Sequence, residues 1–126
     1  MNIVLEQSRP ATTPIPGVAH ATWASAANGL GQLSIWRQTL ESGAATPPHS
    51  HDCDEVVLCL GGSGEVHTAG AVRCFGMGCT VVLPKGPVHQ IFNVGSMPLE
   101  IIGIFAATPV VTLLPDGQAI PLPWPS

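Results

Sequence analysis

GAATPPHSHDCDEVVLCLGG, residues 43–62, packs two of the chain's five histidines and three of its eight carboxylates into the seven positions from His49 to Glu55. In an extended strand, residues two apart face the same side. His49 and His51 therefore present both imidazoles to one face, and Glu55 keeps their parity across the Asp52-Cys53-Asp54 turn. Imidazole combined with carboxylate suits a borderline divalent ion such as Mn, Fe, Co, Ni or Zn. The run continues into VVLCL, residues 56–60, a short apolar strand ended by Gly61-Gly62-Ser63-Gly64. A fourth ligand must come from a neighbouring strand. His89 is the candidate, because Gly78-x5-Pro84-x-Gly86 makes a turn that delivers it to the start of HQIFN, residues 89–93.

Outward from this stretch the chain consists of short apolar runs and turn residues. LSIWRQTL (33–40), TVVLP (80–84), LEIIGIF (99–105) and VVTLL (110–114) suit strands, and EVHTA with AVRCF flanks Gly70 as a hairpin. PKGPV, VGSMP and PDG separate the later runs, and only WASAANG, residues 23–29, has a helical look. Residues 1–20, with Pro10, Pro14, Pro16 and Gly17, read as an extended arm, and residues 115–126 as a Pro-rich tail. With 14 glycines and 13 prolines in 126 residues, the pattern predicts one all-β domain of about eight strands, a sandwich or a barrel.

The charge balance excludes several partners. Arg9, Arg37, Arg73 and Lys85 are the only lysines and arginines against a net charge of −4, so no basic cluster exists for nucleic acid. The most apolar tract, residues 101–114, is broken by Pro109 and falls short of the ~20 residues of a membrane helix. The N-terminus lacks the pattern of a secretory signal, and the cysteines at 53, 59, 74 and 79 form no C-x-x-C pair. These features predict a cytoplasmic protein with reduced thiols. Charged residues make up only 10% of the chain, which predicts that a second subunit covers apolar surface as a homodimer.

Here the residues carry a resemblance. G-x5-H-x-H-x3-E-x6-G fits Gly43, His49, His51, Glu55 and Gly62, and G-x5-P-x-G-x2-H-x3-N fits Gly78, Pro84, Gly86, His89 and Asn93. The chain resembles the small single-domain cupins at all ten positions of their two motifs, residues 43–62 and 78–93. That resemblance implies a jelly-roll β-barrel (a double-stranded β-helix) holding one divalent metal ion, Zn, Fe, Mn or Ni, on His49, His51, Glu55 and His89. PGVAHATWA (16–24), the W-x-Q-T strand, T-P-P-H-S-H with Cys53, and PLPWPS with Trp124 resemble the auxin-binding proteins more closely. The implied ligand is a small, possibly aromatic carboxylate meeting the metal, walled by Val18, Thr46, Pro47, Val57 and Trp124. No signal sequence, retention tetrapeptide or glycosylation sequon accompanies this likeness, so a bacterial-type relative is expected rather than a secreted plant receptor.

Other side chains carry expectations of their own. Glu100 reads as an edge-strand charge, with an acid or base behind the metal ligands as the catalytic alternative. Arg37 pairs with a ligand carboxylate or a surface acid, His67 is solvated, and His20 lies in the arm at the surface or a dimer contact. Cys53 is a packed small side chain, a fifth ligand or a redox-sensitive thiol, Cys59 shares its parity, and Cys74 and Cys79 flank Gly76-Met77-Gly78, a bend across which they could approach one another. Trp23 and Trp36 are core or interface residues, while Trp124 is a pocket lid, a dimer contact or disordered. Two functions are consistent with this set: a metal-dependent binder of a small carboxylate, or a cupin dioxygenase, isomerase or decarboxylase acting on a carboxylate or enol.

Overall fold

Strict alternation in LEIIGIF explains the layering of the molecule. Leu99, Ile101, Gly103 and Phe105 are buried, while Glu100, Ile102 and Ile104 between them are half-buried on the opposite side. The computed structural model describes residues 3–126. Its strands are β1 (Ala11–Thr12), β2 (Val18–Ala24), β3 (Ser34–Leu40), β4 (Ser50–His51), β5 (Glu55–Gly61), β6 (Ser63–Thr68), β7 (Ala71–Gly76), β8 (Thr80–Leu83), β9 (His89–Asn93), β10 (Leu99–Phe105) and β11 (Thr112–Leu113).

A six-stranded sheet runs β1-β2-β3-β10-β5-β8, a three-stranded one β7-β6-β9, and β11 pairs with β4. Isolated bridges at Ala45↔Phe92 and His49↔His89 join the segment leading into β4 to β9. The two smaller sheets thus act as one wall facing the large sheet, the jelly-roll barrel implied by the motifs. The inward residues Val18, Leu40, Val57, Cys59, Leu99 and Ile101 form the main core, which fills one end of the barrel. Trp36, Cys53, Phe105 and Val110 form a second cluster.

The turns follow from local chemistry. β6 and β7 are joined by Ala69-Gly70, both at positive φ (50° and 73°), as a two-residue hairpin matched to the strand twist requires. Gly62, which ends the first motif, has φ of 87°, and a Cβ there would lie 2.6 Å from the Pro98 carbonyl oxygen. Only glycine lets these two segments approach so closely.

Three expectations need correcting. The arm ends early: β2 begins at Val18, so His20 is a buried strand residue at 7% exposure and not a surface contact. WASAANG yields only a single 3-10 turn, Ala26–Asn28, capped by the Ser25 side chain and stopped by Gly29 at φ 90°. Glu100 is not on an edge, since β10 lies between β3 and β5. Its carboxylate takes hydrogen bonds from Arg37 Nη2 and from Thr39 Oγ1 at 2.9 Å, on the outer face of the sheet. Among the described residues no helix is long and apolar enough to cross a membrane.

Candidate metal centre

His49 and His89 form a backbone pair across the barrel wall. Each exchanges hydrogen bonds with the other, His49 N–H to His89 O at 3.1 Å and His89 N–H to His49 O at 2.8 Å. Such a pair holds its two side chains on one face about 5.5 Å apart at Cα. His51, two residues on, pairs with Thr112 of β11 and turns to the same side. The potential donor atoms of His49, His51 and His89 all lie within 4.8 Å of one another. Glu55, at the start of β5, completes the group from the opposite sheet. Its Oε1 is 3.3 Å from His89 Nε2 and 3.5 Å from His51 Nε2.

The protonation pattern favours a cation among these atoms. His49 Nδ1 lies 2.6 Å from the Pro47 carbonyl and His51 Nδ1 lies 2.9 Å from that of Val111. A carbonyl only accepts, so each Nδ1 carries the proton and each Nε2 keeps its lone pair. Burial and the neighbouring His89 push His49 down to about 4, and burial lowers His51 as well. Both rings are neutral at pH 7, the state that ligates a metal. His51 Nε2 and Glu55 Oε1 are buried with no hydrogen-bond partner. Two acceptors facing each other without a proton between them are costly unless a cation lies there. The residues present therefore fit a divalent ion.

The group lies at the base of a cavity of ≈ 360 Å³. Of the residues expected in the ligand wall, Val18, Thr46, Pro47 and Trp124 line it. Val57 does not: it is 0% exposed and packed in the main core. Thr46 is fixed by accepting a hydrogen bond from Ile91 N–H at 2.9 Å. Trp124 is a cavity wall, stacked on His20 with ring centroids 4.0 Å apart and edge-on to Trp36 at 5.5 Å. The tail is tied down by Thr22 Oγ1 donating to Pro125 O and by Val110 N–H donating to Ser126 Oγ. Cys53 packs against Trp36, Phe105 and Val110 outside the histidine group. All four cysteines are free thiols, and Cys79 lies beside Cys59, whose N–H donates to its carbonyl at 3.1 Å. His67 is 3.1 Å from Glu65 on the far hairpin, and Trp23 donates to Ser8 O.

One cavity residue, Gln38, was not singled out from the sequence, and His20 was read without a role there. Gln38 lines the wall, and His20 stands behind it. The parity of Trp36 and Gln38 in the W-x-Q-T strand was the available signal for the first. Burial pushes His20 down from 6.5 to about 4. Between those values the unfolded chain binds the extra proton, so this group's contribution to stability is complete above pH 6.5 and is lost as pH falls toward 4. A His20→Phe chain lacks that proton site, and its urea midpoint is expected to fall less between pH 7 and pH 5. Equal falls in both chains would contradict the assignment.

The comparisons with known proteins agree with this geometry. The profile of the family described as auxin binding protein matches residues 5–123. Auxin-binding protein 1 of Arabidopsis thaliana is 30% identical over 116 residues, covering 84% of this chain and 59% of that protein. Germin-like protein 3-8 of Oryza sativa subsp. japonica is 37% identical over 84 residues, 62% of this chain and 37% of that one. This chain spans about three fifths of the length of the auxin-binding proteins it first matches, 59% and 63%. An oxalate oxidase structure superposes with a TM-score of 0.70 at 25% identity, covering 83% of this chain and 59% of the other. A polyketide cyclase from Streptomyces resistomycificus reaches 0.73 at 18% identity, covering 87% and 84%, a likeness of fold. The fold is that of the cupins, and with a profile running almost end to end the chain belongs to the auxin-binding protein family.

Proposed function

We propose that the protein binds one divalent metal ion through His49, His51, Glu55 and His89, and uses it to hold the carboxylate of a small, partly aromatic acid. Three neutral imidazoles and one carboxylate leave the ion a net charge near +1, which attracts an anion into the cavity despite the chain's net −4. Bound metal supplies Lewis acidity at this point. Around it, Trp36, Phe105, Trp124, Ile101 and Val18 offer an apolar wall for a ring.

The observation that carries binding over turnover is the composition of that wall. Among the described lining residues, the four metal-site side chains are the only titratable ones. Glu100, the other candidate acid or base, is held by Arg37 on the outer face. A reaction that moves a proton needs a group within reach, and this wall presents none beyond the ligands. The similarity to an oxalate oxidase structure supports the alternative, a metal-dependent enzyme acting on a small carboxylate. Titrating phenylacetate into zinc-loaded and chelator-treated protein separates these readings. Tryptophan fluorescence should change only in the loaded sample, and chromatography should return the acid unaltered. Conversion of the acid would favour the enzyme, and an identical response in both samples would sink metal-dependent binding.

The homodimer expected from the low charge is part of the same reading. Ile35, Val56, Leu58, Ile102 and Ile104 alternate onto the outer face of the large sheet, where Arg37 and Glu100 neutralise each other. Sedimentation at micromolar concentration should give a 26 kDa particle, twice the 13.0 kDa chain. A particle of single-chain mass would refute the dimer.

A further inference from the structure

The turn into β8 sets two cysteines against each other. Cys79 N–H donates to Gly76 O at 3.0 Å, and Gly78 within that turn has φ of 85°. Gly78 N–H donates to Cys59 O at 3.1 Å, and Cys59 N–H donates to Cys79 O at 3.1 Å. This is a β-bulge with glycine in the left-handed position: Gly78 is the extra residue, and Cys79 stands opposite Cys59. The ladder beyond agrees, because Leu58 pairs with Thr80 and Val57 with Val81. Val57 and Val81 are buried in the core, whereas Thr80 and Val82 are exposed. Alternation therefore directs Cys79 to the same face of the sheet as Cys59. Residues opposed in this way have Cα atoms about 4.5–5.5 Å apart, inside the range of about 4.4–6.8 Å that a disulfide spans. Both side chains are free thiols, Cys59 buried and Cys79 exposed.

We propose that Cys59 and Cys79 form a reversible disulfide that clips β8 to β5, with a low-molecular-weight disulfide such as oxidised glutathione as the oxidant. β8 is the last strand of the large sheet and pairs with β5 alone among its strands. Exposure makes Cys79 the point of entry. Its thiolate attacks one sulfur of the oxidant, forming a mixed disulfide and releasing one glutathione thiolate. Cys59 then gives up its proton and attacks Cys79 Sγ, forming the Cys59–Cys79 bond and expelling the second glutathione. Two protein thiols are oxidised, one small disulfide is reduced, and the two thiol protons pass to the two released thiolates. Burial raises the Cys59 thiol, so it reacts slowly with a reagent in solution and depends on the sulfur beside it. Excess thiol runs the same exchange backwards. Neither cysteine lines the cavity, so the bond forms without touching the metal group.

The test incubates the folded chain with oxidised glutathione, traps the remaining thiols by alkylation, and maps the peptides by mass spectrometry. A peptide joining Cys59 to Cys79 is expected. The intact mass should fall by about 2 Da as two thiol hydrogens leave, and the thiols titrated in denaturant should drop from four to two. The bridge should raise the urea midpoint, and dithiothreitol should return it to the starting value. Cys59→Ser should stop at the glutathione adduct on Cys79, and Cys79→Ser, a change at an exposed position, should form no bridge. Cys74→Ser should bridge as the unaltered chain does. Urea unfolding verifies that each variant is folded. Glutathione adducts alone on the unaltered chain, a bridge that uses Cys74, or four thiols remaining after incubation would overturn the pairing. A urea midpoint that the bridge leaves unchanged would overturn its hold on β8.

Discussion

Stripping the metal should lower the melting temperature by about 12–20 °C. An ion present at a thousandfold excess over its dissociation constant stabilises the folded state by about 4 kcal/mol, and for a domain of this size each kcal/mol moves the midpoint by roughly 3–5 °C. The structure gives a reason to expect a shift of this size. Without a cation, the buried Oε1 of Glu55 faces the acceptor Nε2 of His51, and neither atom has a hydrogen-bond partner. Calorimetry on chelator-treated and zinc-reloaded samples reads the difference directly. In a Glu55→Gln chain the amide can donate to the Nε2 atom of His51, so the gap between stripped and loaded samples should shrink. Identical melting temperatures with and without zinc in the unaltered protein would contradict this account of the four side chains.

Asn93→Leu should destabilise the protein by about 3–4 kcal/mol, largely independently of metal. Asn93 ends the second motif and is 3% exposed, yet it touches no ligand. Its Nδ2 donates to the Leu40 and Met97 carbonyls, both at 2.9 Å, and its Oδ1 accepts from Gly95 N–H at 2.9 Å. One side chain thus ties β9 to the end of β3 and to the turn entering β10. Leucine is close in size but leaves two carbonyls and one N–H stranded, and each buried unpaired group costs about 1–3 kcal/mol. Urea unfolding of the chelated chain measures this with no contribution from the ion. A loss below about 1 kcal/mol would mean that water or a backbone shift satisfies these groups.

The cluster of His49, His51, Glu55 and His89 was legible because its four members lie at fixed spacings and each pairing rule acts locally. His49 and His51 share a face by alternation, and the turn before His89 is written in Gly78, Pro84 and Gly86. What the sequence did not carry was long-range pairing and depth. Glu100 reads as an edge charge until β10 is seen between β3 and β5. Val57 has the same parity as Glu55, but parity assigns a face, not a level along the barrel; Glu55 reaches the open end and Val57 is sealed in the core. His20 looked like part of an arm because Pro14, Pro16 and Gly17 precede it. Only the register of β2 on β3, which sets His20 against Gln38, reveals the contact. Trp124 had three possible fates, and the tail bonds to Thr22 and Val110 bring it to the cavity.

The central claim is that His49, His51, Glu55 and His89 hold one divalent ion. Elemental analysis of the purified protein beside its His49→Ala/His51→Ala variant tests it most directly, with circular dichroism to verify that the variant is folded. The account predicts about one equivalent of zinc, iron, manganese or nickel in the unaltered protein and almost none in the variant. A folded variant that keeps its metal, or an unaltered protein that takes up no ion even from solutions of these metals, would contradict it.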